Sequence, residues 1–174
     1  MIIKKNTYMK NEIEYIKQDY RFIASGMGFS YSKFHKTIKM FHHLSDENFH
    51  KAIQFYYCDD HNKKRMVSNK YGPISEWDVS SVTNMSYAFS NQFRFNDDIS
   101  EWDVSSVTNM TRMFNCTHCF NQPIDKWDVS NVTNMTCMFN YAHCFNQPIG
   151  KWDVSNVTNM ARMLCGANSF NQSL

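Results

Sequence analysis

Glycine is scarce here, with five in 174 residues. None of them builds a glycine-rich phosphate loop or a Gly-x-Ser-x-Gly elbow, and no His-Glu-x-x-His occurs. The usual signatures of nucleotide binding, serine hydrolysis and zinc peptidase chemistry are therefore missing. Long apolar runs are missing too. The opening Met1-Ile2-Ile3-Lys4-Lys5 does not develop into the roughly 7–15-residue apolar core of a signal peptide, and no stretch reaches the roughly 20 apolar residues that span a bilayer. The expectation is an intracellular chain with no membrane contact. His42-His43 and Asp59-Asp60-His61 remain as conceivable acid–base groups or ligands, but exposed helix ends account for them equally well. The expectation is accordingly non-enzymatic, with no catalytic residues, cofactor or metal.

What the chain has in abundance is repetition. Trp-Asp-Val occurs with its tryptophan at Trp77, Trp102, Trp127 and Trp152, a period of 25 residues. A fixed period in the twenties marks a supersecondary unit that buries its apolar face only by stacking on its neighbours. The unit runs Ile-x-x-Trp-Asp-Val-Ser-x-Val-Thr-Asn-Met-x-x-Met-Phe, five variable residues, then Phe-Asn-Gln. Ile74, Trp77 and Val79 alternate with polar residues and predict a short strand near residues 77–80. Val82, Met85, Ala88 and Phe89 then fall at i, i+3, i+6 and i+7, which predicts a short helix or 3₁₀ turn with Thr83 as its N-cap. Phe95, Phe120, Phe145 and Phe170 close the units, so the four tryptophans and these phenylalanines are the expected structural core.

The Ile-x-x-Trp-x-Val opening occupies the places of the Leu-x-x-Leu-x-Leu signature. With Trp-Asp-Val-Ser-Asn-Val-Thr-Asn-Met and Phe-Asn-Gln-Pro-Ile, residues 74–174 closely resemble the 25-residue repeats of BspA-like leucine-rich repeat proteins, also known as DUF285. The resemblance implies an α/β fold, a curved leucine-rich-repeat solenoid of about four strand-turn-helix units. It also implies surface adhesion or protein binding, and offers a cell-surface location as the alternative to an intracellular one.

Seven Asn-x-Ser/Thr sequons, at Asn84, Asn109, Asn115, Asn131, Asn134, Asn156 and Asn171, favour the intracellular choice, because glycans inside the tight turns would obstruct stacking. The six cysteines fit a reducing compartment. Cys119 and Cys144 fall at one repeat position on adjacent rungs, about 5 Å apart by strand spacing, which leaves two readings open, small buried hydrophobes or a disulfide. Cys116, Cys119, His143 and Cys144 faintly resemble a zinc set, but Tyr141 and Gly166 replace Cys116 in other units and a second Cys-x-x-Cys is absent.

Residues 1–72 lack the repeat and carry thirteen Lys/Arg against seven Asp/Glu; residues 73–174 carry five against nine. A basic head thus precedes an acidic array. The head reads as an all-α region, with helices expected over residues 11–24 and 31–43, a third capped by Ser45 and striped by Phe49, Ala52, Ile53 and Tyr56, and a fourth over residues 60–70 ended by Tyr71-Gly72-Pro73. Residues 45–72 are placed to cap the first repeat, with Phe49, Ile53, Tyr56 and Met66 as packing residues. Lys63-Lys64-Arg65 is the one cluster that could touch phosphates, and so short a run is ordinarily a solvated face.

The candidate binding site is a row. If Trp and Val point inward, Asp78, Asp103, Asp128 and Asp153 point to the opposite, concave, strand-lined face at about 5 Å intervals, beside Ser80, Ser105, Ser130 and Ser155. Neighbouring carboxylates repel by about 1 kcal/mol in water-like surroundings. Local hydrogen bonds to the turn offset that, or a basic protein partner does, and both can hold together. Glu76 and Glu101 flank the first two aspartates, whereas Lys126 and Lys151 flank the last two, so the acidic pole faces the N-terminal end. Leu174 stands where a further unit would open, so Trp152, Val154, Val157, Met160 and Phe170 are expected to present an uncovered edge that self-associates or continues in a longer protein. Protein binding through the row is the functional expectation. End-to-end assembly is the alternative, and nucleic-acid association through the basic head is weaker still.

Overall fold

Residues 43–174 are described by the computed structural model, and they belong to one compact unit, His42–Leu174. The helices expected over residues 11–24 and 31–43 lie outside the described residues, except for His43.

Two helices precede the repeats. Helix α1, Phe49–Tyr57, buries Phe49, Ala52 and Ile53, three positions of the predicted stripe. Its N-cap is Asn48 rather than Ser45, and no side chain caps it. The Asn48 Oδ1 instead accepts from the Ser45 N–H, while the Ser45 carbonyl accepts from the N–H groups of Asn48 and Phe49. Helix α2, His61–Tyr71, is capped by Asp60, whose carboxylate accepts from the N–H groups of Asn62 and Lys63. It stops at Gly72, whose left-handed φ of 76° turns the chain into Pro73, an arrangement that a side chain at this position would resist.

The repeats form neither strands nor helices, which corrects the expected strand-turn-helix solenoid. Among the described residues the only helical elements are α1, α2 and a 3₁₀ turn at Ile74–Glu76, and pairing between rungs is limited to isolated parallel bridges through Asn84, Asn109, Asn134 and Asn159. Each 25-residue unit is a rung of tight turns. Where a strand was expected, Ile-x-x-Trp closes an i→i+3 turn, with Trp102 N–H donating to the Ile99 carbonyl and Trp127 N–H to that of Ile124, both at 3.2 Å. Where a helix was expected, three overlapping i→i+3 turns run from Met110 to Thr117, and the third residue of the first and last, Arg112 and Cys116, is left-handed at φ 54° and 57°. The same two columns in the other rungs hold Tyr87, Cys137 and Arg162, and Asn91, Tyr141 and Gly166, all with positive φ. A right-handed helix excludes that conformation.

The reason for this path lies in the direction of the peptide groups. In the first rung the N–H groups of Met85, Tyr87, Phe89 and Asn91 donate to the carbonyls of Asn109, Thr111, Met113 and Asn115 in the second, each at 2.9 Å. The second rung repeats this toward the third, from Met110, Arg112, Phe114 and Cys116 to Asn134, Thr136, Met138 and Asn140. Every second peptide thus points its carbonyl back and its N–H forward, and the left-handed residues rotate the chain to allow it. The main-chain groups that an α-helix would satisfy internally are satisfied between rungs.

Side chains of one kind stack along this ladder. Phe89, Phe114 and Phe139 form one column with ring centroids 5.5 Å apart, and Phe95, Phe120, Phe145 and Phe170 form a second at 5.5–6.0 Å. Within a rung the two columns lie about 4 Å apart and nearly parallel. Burying each such ring contributes about 1.5–3 kcal/mol. Around Trp-Asp-Val, where neighbouring rungs exchange no backbone bonds, the indole makes the link. Trp102, Trp127 and Trp152 donate through Nε1 to the carbonyls of Ile74, Ile99 and Ile124, so each tryptophan pins its own rung to the one before.

Residues 44–57 close the front of the stack. Asp46 replaces the threonine carbonyl of a missing earlier rung, taking the Thr83 N–H at 2.8 Å, the Thr83 hydroxyl at 2.6 Å and the Asn84 N–H at 3.0 Å. His50 Nε2 reaches the Ser86 carbonyl at 2.7 Å, Phe49 lies against Trp102, and the half-buried Tyr57 donates through its hydroxyl to Asp97 at 2.6 Å.

Candidate functional site

Three of the four aspartates sit between buried neighbours, and the fourth, Asp153, lies between the buried Trp152 and the exposed Val154. Trp77 and Val79 are buried, as are Trp102 and Val104, and Trp127 and Val129, while Asp78, Asp103, Asp128 and Asp153 are exposed. Each carboxylate stabilises its own turn. Asp78 Oδ1 accepts from the Ser80 N–H at 3.1 Å and hydroxyl at 2.7 Å, Asp103 Oδ1 from Ser105 at 3.1 and 2.6 Å, and Asp128 Oδ1 from Ser130 at 3.0 and 2.7 Å. In the fourth rung Asp153 Oδ1 takes the Ser155 N–H at 3.0 Å. The serine at the second position supplies both donors because its short side chain folds back on the turn. The Ser130 hydroxyl and N–H hold the Asp128 carboxyl below its ordinary range even though Asp153 pushes it up, and the Ser155 N–H holds Asp153 down in the same way. In all four residues Oδ2 meets no donor among the described residues. The row therefore has two halves, one oxygen that shapes the turn and one that faces solvent.

The strand-lined concave face expected beneath this row does not form; the aspartates stand on turns. Glu76 and Glu101 are exposed beside the first two, and Lys126 and Lys151 beside the last two. The remaining expected core residues lie inside: Phe95, Phe120, Phe145 and Trp152 are buried, and Phe170 is half-buried.

The reactive side chains singled out in the sequence stay apart. All six cysteines are free, with Cys119 and Cys144 exposed on neighbouring rungs. Among the described residues no three His, Cys, Asp or Glu side chains gather to hold a metal, so Cys116, Cys119, His143 and Cys144 do not form a set. His118 and His143 instead continue an aromatic ladder from Phe93, at 5.0 and 4.6 Å between centroids. Lys63 pairs with Asp60 at 3.5 Å, and Lys64 lies over Tyr56. Among the described residues no helix is long and apolar enough to cross a membrane.

A second surface was not anticipated. The turn segments hold the three arginines of the array, Arg94, Arg112 and Arg162, and none of its nine carboxylates. Arg112 and Arg162 border an open groove of about 620 Å³ that also meets Asn115, Asn140, Cys137 and Tyr141. Tyr87 and Tyr141 project beside it, about half exposed, and Arg112 lies over the Tyr87 ring at 5.6 Å. The stack thus keeps all nine carboxylates of the array, with Lys126 and Lys151, on the segments around Trp-Asp-Val, and its three arginines on the other side of the rung. Sorting charged residues by their place in the repeat would have found this.

No curated protein and no solved structure matches the chain. The family model described as "Mycoplasma protein of unknown function, DUF285" matches residues 53–174, from within α1 through all four rungs, and the chain belongs to that family.

Proposed function

We propose that this protein is a non-enzymatic interaction module whose acidic row binds a basic segment of another protein. The observation that carries the reading is the division of labour within each aspartate. Oδ1 is committed to the Ser80, Ser105, Ser130 or Ser155 turn, while Oδ2 is left to solvent at a fixed place on every rung. Hydrogen-bonded rungs lie about 4.8 Å apart, so the row offers acceptors at a spacing that Lys and Arg side chains of an extended segment can follow. The stack holds these carboxylates in place before binding, which limits the ordering cost. The BspA-like wording of the repeat agrees, since that resemblance implies adhesion and protein binding. An intracellular setting agrees with the sequons as well. The Asn84, Asn109 and Asn134 side chains accept the N–H groups of Ser86, Thr111 and Thr136, and these asparagines also bridge the rungs, where a glycan would intrude.

The test replaces charge while keeping the turn. In Asp103→Asn/Asp128→Asn the amide Oδ1 still accepts from Ser105 and Ser130, so stability should stay within about 1 kcal/mol of the parent. Affinity for a Lys/Arg-rich peptide, measured by calorimetry at low salt, should fall about tenfold or more, and the parent's affinity should weaken as salt rises. Unchanged affinity would show that the row is structural only. Unfolding of the double variant would show that the carboxylate charge is needed by the turn itself.

A further inference from the structure

The groove between the second and fourth rungs is made by alternation within one column. Arg112, Cys137 and Arg162 follow one another there at the same left-handed position, with φ of 54°, 55° and 56°. Hydrogen bonds between rungs hold neighbouring main chains about 4.8 Å apart, so the two arginine backbones lie about 10 Å apart with only a short thiol side chain between them. Cys137, 7% exposed, is the floor, and the exposed Arg112 and Arg162 flank an open cavity of about 620 Å³. Floor and both flanks thus belong to described rungs.

Whatever fills that gap meets two cations. No carboxylate borders the groove, and none of the nine in the array lies on its side of the rung. Arg112 donates through Nη1 to the Tyr87 hydroxyl at 3.3 Å and bonds to the Cys137 thiol, which fix its direction; neither partner is a carboxylate. Asn140, 9% exposed, gives one amide N–H to the Cys165 carbonyl at 3.3 Å and has a second beside the groove. A guanidinium bonded bidentately to an oxyanion holds its carbon roughly 4 Å from the central atom of that anion. An oxyanion seated over Cys137, about one rung from either arginine, therefore reaches both. A carboxylate brings one negative charge and two oxygens, whereas a phosphate monoester brings nearly two charges and three oxygens. Two arginines and an amide match the monoester.

The neighbouring wall is aromatic and fixed in place. A Cβ at Gly166 would come 2.6 Å from the Tyr141 ring, so the glycine leaves the room in which that ring lies. His143 packs against it at 6.1 Å between centroids, nearly at right angles, and the tyrosine remains 49% exposed. We propose that Arg112, Cys137 and Arg162 seat a phosphate monoester, and that Tyr141 stacks on a flat ring carried by it, as a phosphotyrosine side chain or a nucleotide offers. This inference stands apart from the acidic row, which lies around Trp-Asp-Val.

The test is a titration of the full chain at low salt with O-phosphotyrosine, adenosine monophosphate, phosphoserine, inorganic phosphate and benzoate, followed by NMR of backbone amides and arginine side chains. Shifts should centre on Arg112, Cys137 and Arg162. The two ring-bearing monoesters should bind about threefold or more tighter than phosphoserine or inorganic phosphate, and about tenfold or more tighter than benzoate. Arg112→Gln and Arg162→Gln, both exposed substitutions, should each weaken O-phosphotyrosine about tenfold, Arg94→Gln, outside the groove, should leave it unchanged, and Tyr141→Ala should remove the advantage of the ring. Affinity should also fall below about pH 6, where the phosphate takes up its second proton. A preference for either ring-bearing monoester names the source and supports the site. Equal loss at Arg94→Gln would overturn it in favour of diffuse charge, and absence of shifts at millimolar ligand would overturn it outright. Benzoate binding as tightly as the monoesters would overturn the choice of a dianion. Phosphoserine or inorganic phosphate binding as tightly as the ring-bearing monoesters would overturn the role of Tyr141.

Discussion

Removing one indole from the middle of the stack should cost far more than its area suggests. Trp127 is 4% exposed, its ring faces Phe114 at 6.3 Å, and its Nε1 donates to the Ile99 carbonyl of the preceding rung at 3.2 Å. Trp127→Ala opens a cavity, at about 3–5 kcal/mol. It also removes one of the two donors to the Ile99 carbonyl, which keeps only the Trp102 N–H, adding about 1 kcal/mol. The sum, about 4–6 kcal/mol, is a large part of the 5–15 kcal/mol typical of a domain. In a stack where each rung touches only its neighbours, the loss also uncouples the fourth rung from the first two, so unfolding should divide into two steps. Urea titration followed by circular dichroism reads both effects. Trp127→Phe, which keeps most of the apolar surface and loses the N–H, should cost about 1–3 kcal/mol and separate the hydrogen bond from the packing. Asn115→Ala, which gives up long bonds of 3.4 Å to the Ser90 hydroxyl and 3.6 Å to the Cys116 Sγ, should stay within about 0.5 kcal/mol. Equal, small effects of Trp127→Ala and Asn115→Ala would refute the stacked-core reasoning.

Three further outcomes follow from the geometry. Burial raises the Asp46 carboxyl, but its bonds to Thr83 and Asn84 and the nearby His50 outweigh this and leave it below the ordinary carboxylate range. The stability it contributes should be fully present above about pH 4 and vanish as pH falls through the lowered folded value, and Asp46→Ala should remove that part of the acid sensitivity while costing about 1–2 kcal/mol. A thiol reagent should modify the exposed Cys119, Cys144 and Cys165 in the native protein, with Cys137, buried at 7% exposure, reacting only on unfolding. Gly166→Ala adds a Cβ 2.6 Å from the Tyr141 ring at a φ of 75°, so it should destabilise by about 1–2 kcal/mol, and Tyr141→Ala should relieve the steric part, as denaturant midpoints would show.

What could be read from the sequence was whatever depends on residue type and period. The 25-residue spacing placed every Trp and Phe column, and Asp60 with Gly72-Pro73 bounded α2, because a cap and a stop are local chemistry. The path of the rung could not be read. Val82, Met85, Ala88 and Phe89 fit a helical stripe, yet the same spacing serves overlapping turns, and the choice is made by N–H groups that find carbonyls about 25 residues away. The left-handed residues offered no warning either, since among Tyr87, Arg112, Cys137 and Arg162 none is of a type that favours that conformation. Asn91 and Gly166, in the second column, were the only hint. At the N-cap of α1 a tertiary contact won. Asp46, next to the expected cap Ser45, is drawn to Thr83 and Asn84 of the first rung, and the helix begins three residues later.

Rungs that share a backbone can differ only where side chains leave it, and this divides the molecule into frame and message. Ile, Trp, Val, Met, Phe and the Asp-x-Ser turn recur because each helps to hold the next rung in register, and the exceptions, Ala88 and Leu164, remain apolar. The positions free to differ are the left-handed columns, which carry Tyr87, Arg112, Cys137 and Arg162 and then Asn91, Cys116, Tyr141 and Gly166, and the residue before each tryptophan, Glu76, Glu101, Lys126 and Lys151. Apart from the buried Cys137, the side chains of these columns are exposed or half-buried, so most of them can vary at less cost than a core residue. The invariant aspartates can supply attraction, being the same on every rung, but they cannot supply register to a partner. On the proposed reading, register would come from the change of sign between Glu101 and Lys126, and a basic segment should bind better over the first two rungs than over the last two, as Glu101→Lys would show by weakening the affinity and Lys126→Glu by raising it.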